Sequence, residues 1–160
     1  MAKYYIAYGS NLNIRQMKYR CPGALVVGTG FIKDYELLFK GSKSGSYLTI
    51  EEKMGSLVPV AIWKVNEVHE RALDVYEGYP TFYYKKEMEI DYISIKSKIA
   101  HHVKAFAYIM HEDRKLGIPM IEYVRVCLEG YRTFGFSPKH IEEAIKKSME
   151  VQNGNKNHRI

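Results

Sequence analysis

Apolar positions fall in runs of two periodicities along the chain. Tyr4-Tyr5-Ile6-Ala7 is an aromatic, β-branched run that predicts a strand. It breaks at Gly9-Ser10-Asn11, residues typical of tight turns and helix starts. A short helical pattern follows from about Asn13 to Arg20 and is closed by Pro22. Further strands are predicted over Ala24 to Lys33, Tyr35 to Phe39, Tyr47 to Ile50 and Leu57 to Val65. Gly28 and Gly30 mark bulges or a close backbone approach, and Pro59 an edge or bulge. Gly41 to Ser46 reads as a flexible surface loop.

Period 3.6 returns after Asn66, a good N-cap. Val68, Ala72, Leu73 and Tyr76 share a face, and Gly78 is placed to end the helix. Tyr83 to Ile95 reads as a strand, Lys96 to His102 as a polar connection, and Val103 to Met110 as a strand. Pro119 is expected to open a helix whose stripe is Met120, Val124, Cys127, Leu128 and Tyr131. Ser137-Pro138 opens a last helix with Ile141, Ala144, Ile145 and Met149 inward. The expectation is one domain over residues 1–150, with 151–160 a disordered polar tail. Strands grouped between helices argue for an α+β fold with a curled or barrel-like sheet.

Composition narrows the function. The 160 residues are 46% hydrophobic and 26% charged, ordinary for a globular protein with a real core. No apolar run reaches membrane length and Lys3 leads directly into the first strand, so no membrane partner and no signal peptide are expected. Cys21 and Cys127 fit no metal or redox spacing, and read as reduced thiols of a cytoplasmic protein. The net charge of +6 is spread along the chain among acidic residues, which is the pattern of a solvated surface rather than a nucleic-acid footprint. His101-His102 has no carboxylate or Cys partner at ligand spacing, so no metal is expected. Gly28-Thr29-Gly30 lacks the third glycine and the helix of a phosphate-binding loop.

Two segments carry candidate chemistry. The strand–loop–helix unit around Gly9-Ser10-Asn11 turns backbone N–H groups outward, suited to a carboxylate or an oxyanion. Its plain alternative is an ordinary strand–helix turn. Glu77 lies at the end of a helix, before Gly78-Tyr79-Pro80 and the aromatics Phe82-Tyr83-Tyr84. The helix dipole and the aromatic wall both disfavour its charged form, which raises its pKa toward that of a useful base. Its plain alternative is a solvated glutamate at a helix end.

Tyr8-Gly9-Ser10-Asn11-Leu12, Arg20-Cys21-Pro22, Leu73 to Pro80 with Glu77-Gly78, Tyr83-Tyr84, and Pro119 through Tyr123 to Gly130 and Gly135 together resemble the γ-glutamylcyclotransferase family. The resemblance runs from the N-terminus to the last helix. It implies an α+β fold around a small mixed β-barrel with flanking helices. It implies cyclisation of a γ-glutamyl group to 5-oxoproline, with release of the attached amine or amino acid and no cofactor. Carried over by position, Glu77 is the catalytic acid/base, and Tyr8, Gly9, Ser10, Asn11 and Leu12 bind the γ-glutamyl moiety. Tyr83 or Tyr84, Tyr108 and Tyr123 line the pocket. Pro59 and Ala61 stand where relatives often have glycine, which leaves the leaving-group side of the pocket open. The implied partner is a small γ-glutamyl compound, bound by a monomer or homodimer. A non-catalytic binding module on the same fold is the rival reading.

Overall fold

The computed structural model describes residues 2–42 and 45–157. In chain order the elements are β1 (Lys3–Ala7), a 3-10 turn (Ser10–Leu12), α1 (Ile14–Arg20), β2 (Leu25–Ser42) and β3 (Gly45–Val65). They continue with α2 (Glu67–Glu77), β4 (Tyr83–Ser94), β5 (Ala100–Met110), β6 (Lys115–Leu116), α3 (Ile121–Phe134) and α4 (Lys139–Asn157). The strand order is β3-β1-β5-β4-β2-β6, and β3 also pairs with β2. That extra pairing closes five strands into a mixed barrel, with β6 an appendage on β2. β1 runs parallel to β5, with Tyr5 opposite Phe106, while the other pairs are antiparallel. The expected α+β barrel with flanking helices is the fold observed.

Four short strands of the sequence reading are two long ones. The breaks expected at Asp34 and at Met54-Gly55-Ser56 are a bend, not an end. Asp34 takes φ +62° at the register shift between Lys33 and Tyr35, and its carboxylate accepts the Gly55 N–H at 2.8 Å. The β2–β3 ribbon therefore turns a corner while staying paired. In the expected surface loop, Gly41 and Ser42 pair with Ser46 and Gly45, and Lys43 and Ser44 lie outside the described residues. Pro59 sits opposite Phe31 just past the last β1 pair, Ala7 with Ala61, so its missing N–H breaks no β1 ladder.

Barrel closure depends on Gly28 and Gly30. They lie opposite Ser94 and Tyr92 of β4. A Cβ on Gly28 would stand 2.4 Å from the Ile93 carbonyl oxygen, and one on Gly30 2.4 Å from that of Asp91. Only bare backbone lets β4 come this close. The core is the barrel interior together with the inner faces of the helices. Ile6, Phe39, Leu48, Ile50, Ile62, Ile109 and Met110 are among its fully buried side chains.

The helix stripes differ from expectation at their ends. On α2 the buried positions are His69 and Leu73, and Val68 is exposed. Pro119 precedes α3 rather than opening it, and Met120, the N-cap, is exposed. On α4, Ile141, Ala144 and Ser148 face inward and Met149 faces out. α4 also runs through Asn157, so residues 151–157 are helical rather than a disordered tail, and 158–160 lie outside the described residues. His101 and His102 belong to β5, where His101 stacks on Tyr92 and His102 meets Asp91 at 2.6 Å. Cys21 and Cys127 are buried free thiols.

Candidate active site

The site is built where α2 ends. Asn66 caps the helix by accepting the His69 N–H at 2.9 Å, while His69 Nδ1 accepts the Asn66 N–H at 3.1 Å. That leaves His69 Nε2 as the protonated nitrogen, donating to the Pro22 carbonyl at 2.7 Å. The pairing ties the start of α2 to the chain leaving α1. At the other end Gly78 adopts φ +64° and stops the helix, so Glu77 is its last residue.

Glu77 opens into a cavity of about 500 Å³. One wall is Tyr8, Gly9, Ser10 and Asn11, from the end of β1 and the 3-10 turn. Opposite chain segments add Tyr47 and Leu48 of β3, Phe82 and Tyr83 at the start of β4, Tyr108 of β5 and Tyr123 of α3. Val75 and Tyr76 of α2 complete it beside Glu77. Among the described residues Glu77 is the only charged one in this wall. Burial pushes its carboxyl up to about 7, against the opposing pull of the Arg20 guanidinium. Among the described residues no hydrogen bond reaches this carboxyl.

The tyrosines are fixed one by one. Tyr8 donates to the Tyr108 carbonyl at 2.5 Å. Tyr83 donates to the Leu48 carbonyl at 2.9 Å, and Tyr123 accepts the Leu48 N–H at 3.0 Å, so the two phenols hold one β3 residue from both sides. Tyr108 donates to Asp74 at 2.6 Å. Asp74 in turn pairs with Lys85 at 2.9 Å, which also meets Glu70 at 2.8 Å. Burial raises the phenols of Tyr8, Tyr83, Tyr108 and Tyr123, so they remain protonated donors at neutral pH.

The loop wall has its own supports. The Leu12 N–H returns to the Gly9 carbonyl and the Asn13 N–H to that of Ser10, each at 3.0 Å. The amides of Gly9, Ser10 and Asn11 have no protein acceptor among the described residues. α3 lies directly against the turn: a Cβ on Gly130 would stand 2.6 Å from the Leu12 carbonyl carbon. Asn13 holds the same crossing by donating to the Val126 carbonyl at 3.1 Å and to Glu129 at 2.6 Å.

Of the residues singled out in sequence, Tyr8, Gly9, Ser10, Asn11, Glu77, Tyr83, Tyr108 and Tyr123 meet in this one cavity. Two do not. Leu12 is fully buried under α3 and serves the turn's packing. Tyr84 points away from the cavity, bonded to Glu112 and lying against His111, because alternate residues of β4 face opposite sides. Sequence reasoning missed Tyr5, Tyr47, Tyr76 and Arg20, and had Phe82 only as part of the aromatic wall beside Glu77. Arg20 lies over the Tyr76 ring, 3.3 Å from its centroid, and donates to Asn11 Oδ1 and Gln16. The only sequence signal for it was its place beside Cys21-Pro22. No group of three His, Cys, Asp or Glu side chains that could hold a metal occurs among the described residues. No helix among them is long and apolar enough to cross a membrane.

The mouse and human proteins named γ-glutamylcyclotransferase are 26% and 27% identical over 149 and 153 residues, in each case 89% of this chain and 76% of theirs. A solved structure named γ-glutamyl cyclotransferase superimposes with a TM-score of 0.76 at 22% identity, covering 90% of this chain and 86% of the other. Residues 5–125 match the family model described as gamma-glutamyl cyclotransferase, AIG2-like, and the chain belongs to that family.

Proposed function

We propose that the protein cyclises the γ-glutamyl group of a small-molecule amide to 5-oxoproline and releases the attached amine or amino acid. Glu77 is the general acid/base. The observation that carries this reading is a lone carboxyl group, raised to about 7 by burial, in a cavity whose wall offers free backbone amides. A base of that pKa suits an operating pH near neutrality.

The α-amine of the substrate is largely protonated at neutral pH and cannot attack. Glu77 takes a proton from it. The freed nitrogen then bonds to the γ-carbonyl carbon, and the carbonyl electron pair moves onto oxygen. Amides of Gly9 to Asn11 hold the γ-glutamyl moiety and meet the charge as it develops. Glu77 returns its proton to the departing nitrogen, the old C–N bond breaks as the carbonyl re-forms, and the ring nitrogen gives its remaining extra proton to the released amine, which leaves the neutral lactam and an ammonium product. Tyr83, Tyr108 and Tyr123 shape the cavity so that a flexible substrate is held folded for attack.

The test is incubation with a panel of γ-glutamyl amines and γ-glutamyl amino acids, with 5-oxoproline as the readout. Turnover of at least one compound, lowered about 10²–10⁴-fold by Glu77→Gln, is expected. Failure of every compound, or near wild-type turnover by Glu77→Gln, refutes the reading.

A further inference from the structure

Tyr5 is a further phenol lining the cavity, 3% exposed, and its hydrogen bonding has a fixed polarity. The chain of reasoning starts at Arg20. A guanidinium only donates, so the Asn11 atom it meets is the carbonyl oxygen, Oδ1. The other end of that amide, Nδ2, then faces Tyr5 and lies 2.9 Å from its oxygen. An amide NH₂ also only donates, so the Tyr5 oxygen accepts. The phenol proton must therefore point elsewhere, and no acceptor for it exists among the described residues. Tyr5 lines the cavity, so a ligand atom seated there can accept that proton.

We propose that Tyr5 is a catalytic residue of this site, donating its phenol proton as a hydrogen bond to the γ-carbonyl oxygen of the substrate. This rests on the cyclisation reading above. The placement fits the reaction. Tyr5 lies in the same cavity as Glu77, and burial, then the field of Glu77, raises its phenol well above the ordinary range. It therefore stays a donor throughout. Glu77 serves the two nitrogens bonded to or attacking the γ-carbon, and the oxygen on that carbon needs its donors within the same few ångströms. As the carbonyl becomes an oxyanion the Tyr5 bond strengthens, which lowers the barrier more than it tightens ground-state binding. Arg20 and Asn11 are positioning residues, setting which way the phenol proton points.

Tyr5→Phe removes the hydroxyl and keeps the ring. With a substrate the wild type turns over, kcat is expected to fall about 10²-fold with KM little changed and the melting temperature retained. Asn11→Asp reverses the polarity: the new carboxylate accepts from both Arg20 and Tyr5 and draws the phenol proton away from the cavity. Its loss in kcat is expected to match that of Tyr5→Phe, and the double variant to be no worse than either single one. Binding gives an independent readout. The lactam 5-oxoproline keeps the carbonyl oxygen, and cyclopentanecarboxylate lacks it, so Tyr5→Phe weakens the first and leaves the second unchanged. Wild-type kcat and unchanged 5-oxoproline affinity in a folded Tyr5→Phe protein overturn the role of Tyr5 while leaving cyclisation standing. A wild type that neither makes nor binds 5-oxoproline overturns both.

Discussion

A carboxyl group held near 7 inside a protein works against folding at neutral pH. An ordinary glutamate, near 4.5, is already ionised there in the unfolded chain, whereas Glu77 in the cavity still binds its proton. Between those two values the folded state holds more protons, so this residue's contribution to stability falls as pH rises from about 4.5 to about 7. Above that the native state carries a buried carboxylate without a hydrogen-bond partner among the described residues. Glu77→Gln removes the ionisation. It is expected to leave melting nearly unchanged at pH 4.5 and to stabilise by on the order of 1–3 kcal/mol at pH 8. Parallel stability curves for the two proteins across that range contradict the raised pKa. The same group sets the rate: kcat/KM of the wild type is expected to rise with pH through an apparent pKa near 7. The position of Glu77 was legible, from the helix that ends on it and the aromatics that follow. The part played by Arg20 was not, because the bonds to Asn11 and the stacking on Tyr76 join residues from two different helices and a turn.

Elements bring their own glycines to the site, and these do unlike jobs. Gly130 lies mid-helix in α3, and in sequence nothing separates it from a weak point in an amphipathic stripe. Its function appears only when α3 is laid on the Ser10–Leu12 turn, where backbone rather than a flexible side chain blocks a Cβ. Gly130→Ala must push the helix off the turn or shift the turn itself. A loss of about 1–3 kcal/mol is expected, with a larger proportional loss of turnover because the Gly9–Asn11 wall moves. Gly135 ends the same helix at φ +72° with open space around it. Gly135→Ala is expected to cost about 1 kcal/mol in denaturant unfolding and nothing in kinetics. Equal kinetic effects from the two substitutions would show that α3 does not hold the loop. Gly9 is a third case, since a Cβ there meets the Tyr123 hydroxyl at 3.3 Å and Leu48 at 3.5 Å. Gly9→Val is thus expected to disturb the cavity wall and lower turnover more than it lowers melting temperature. Strand ends were legible where Gly or Pro stops pairing, and misread at Asp34 and Gly55, where turn residues serve a bend in a continuous ribbon. The outermost positions of the stripes, Val68, Met120 and Met149, are exposed, since periodicity says which face a residue lies on but not where the partner surface stops.

At the scale of the molecule the cavity is a junction. Its wall takes residues from β1, the 3-10 turn, β3, α2, β4, β5 and α3, so nearly every part of the barrel ends on it. Barrel-like curvature was legible from strands grouped between helices and the closed barrel from the family resemblance, while the pairings that close it were not, since β3 pairs with both β1 and β2 across distances no local pattern reports. A ligand seated at such a junction binds only when those elements are assembled. Its binding energy is therefore added to global stability, by RT ln(1 + [L]/Kd). With 5-oxoproline at a hundredfold excess over its dissociation constant, unfolding is expected to be harder by about 2.7 kcal/mol, as one cooperative transition. Removal of residues 153–160 is expected to leave that shift, the melting temperature and turnover unaltered, because Ser148 is the last inward position of α4 among the residues whose burial is described. The chemistry of the ligand sharpens the expectation. An N-acetylated γ-glutamyl compound is expected to yield no 5-oxoproline, since its amide nitrogen has no basic lone pair for Glu77 to expose. An α-amidated compound loses the carboxylate that the Gly9–Asn11 amides receive, and both its thermal shift and its turnover are expected to fall. Release of the amine from the N-acetylated compound at the parent's rate would replace cyclisation by ordinary hydrolysis. A two-step melt in the presence of 5-oxoproline would instead place the ligand on one part of the fold.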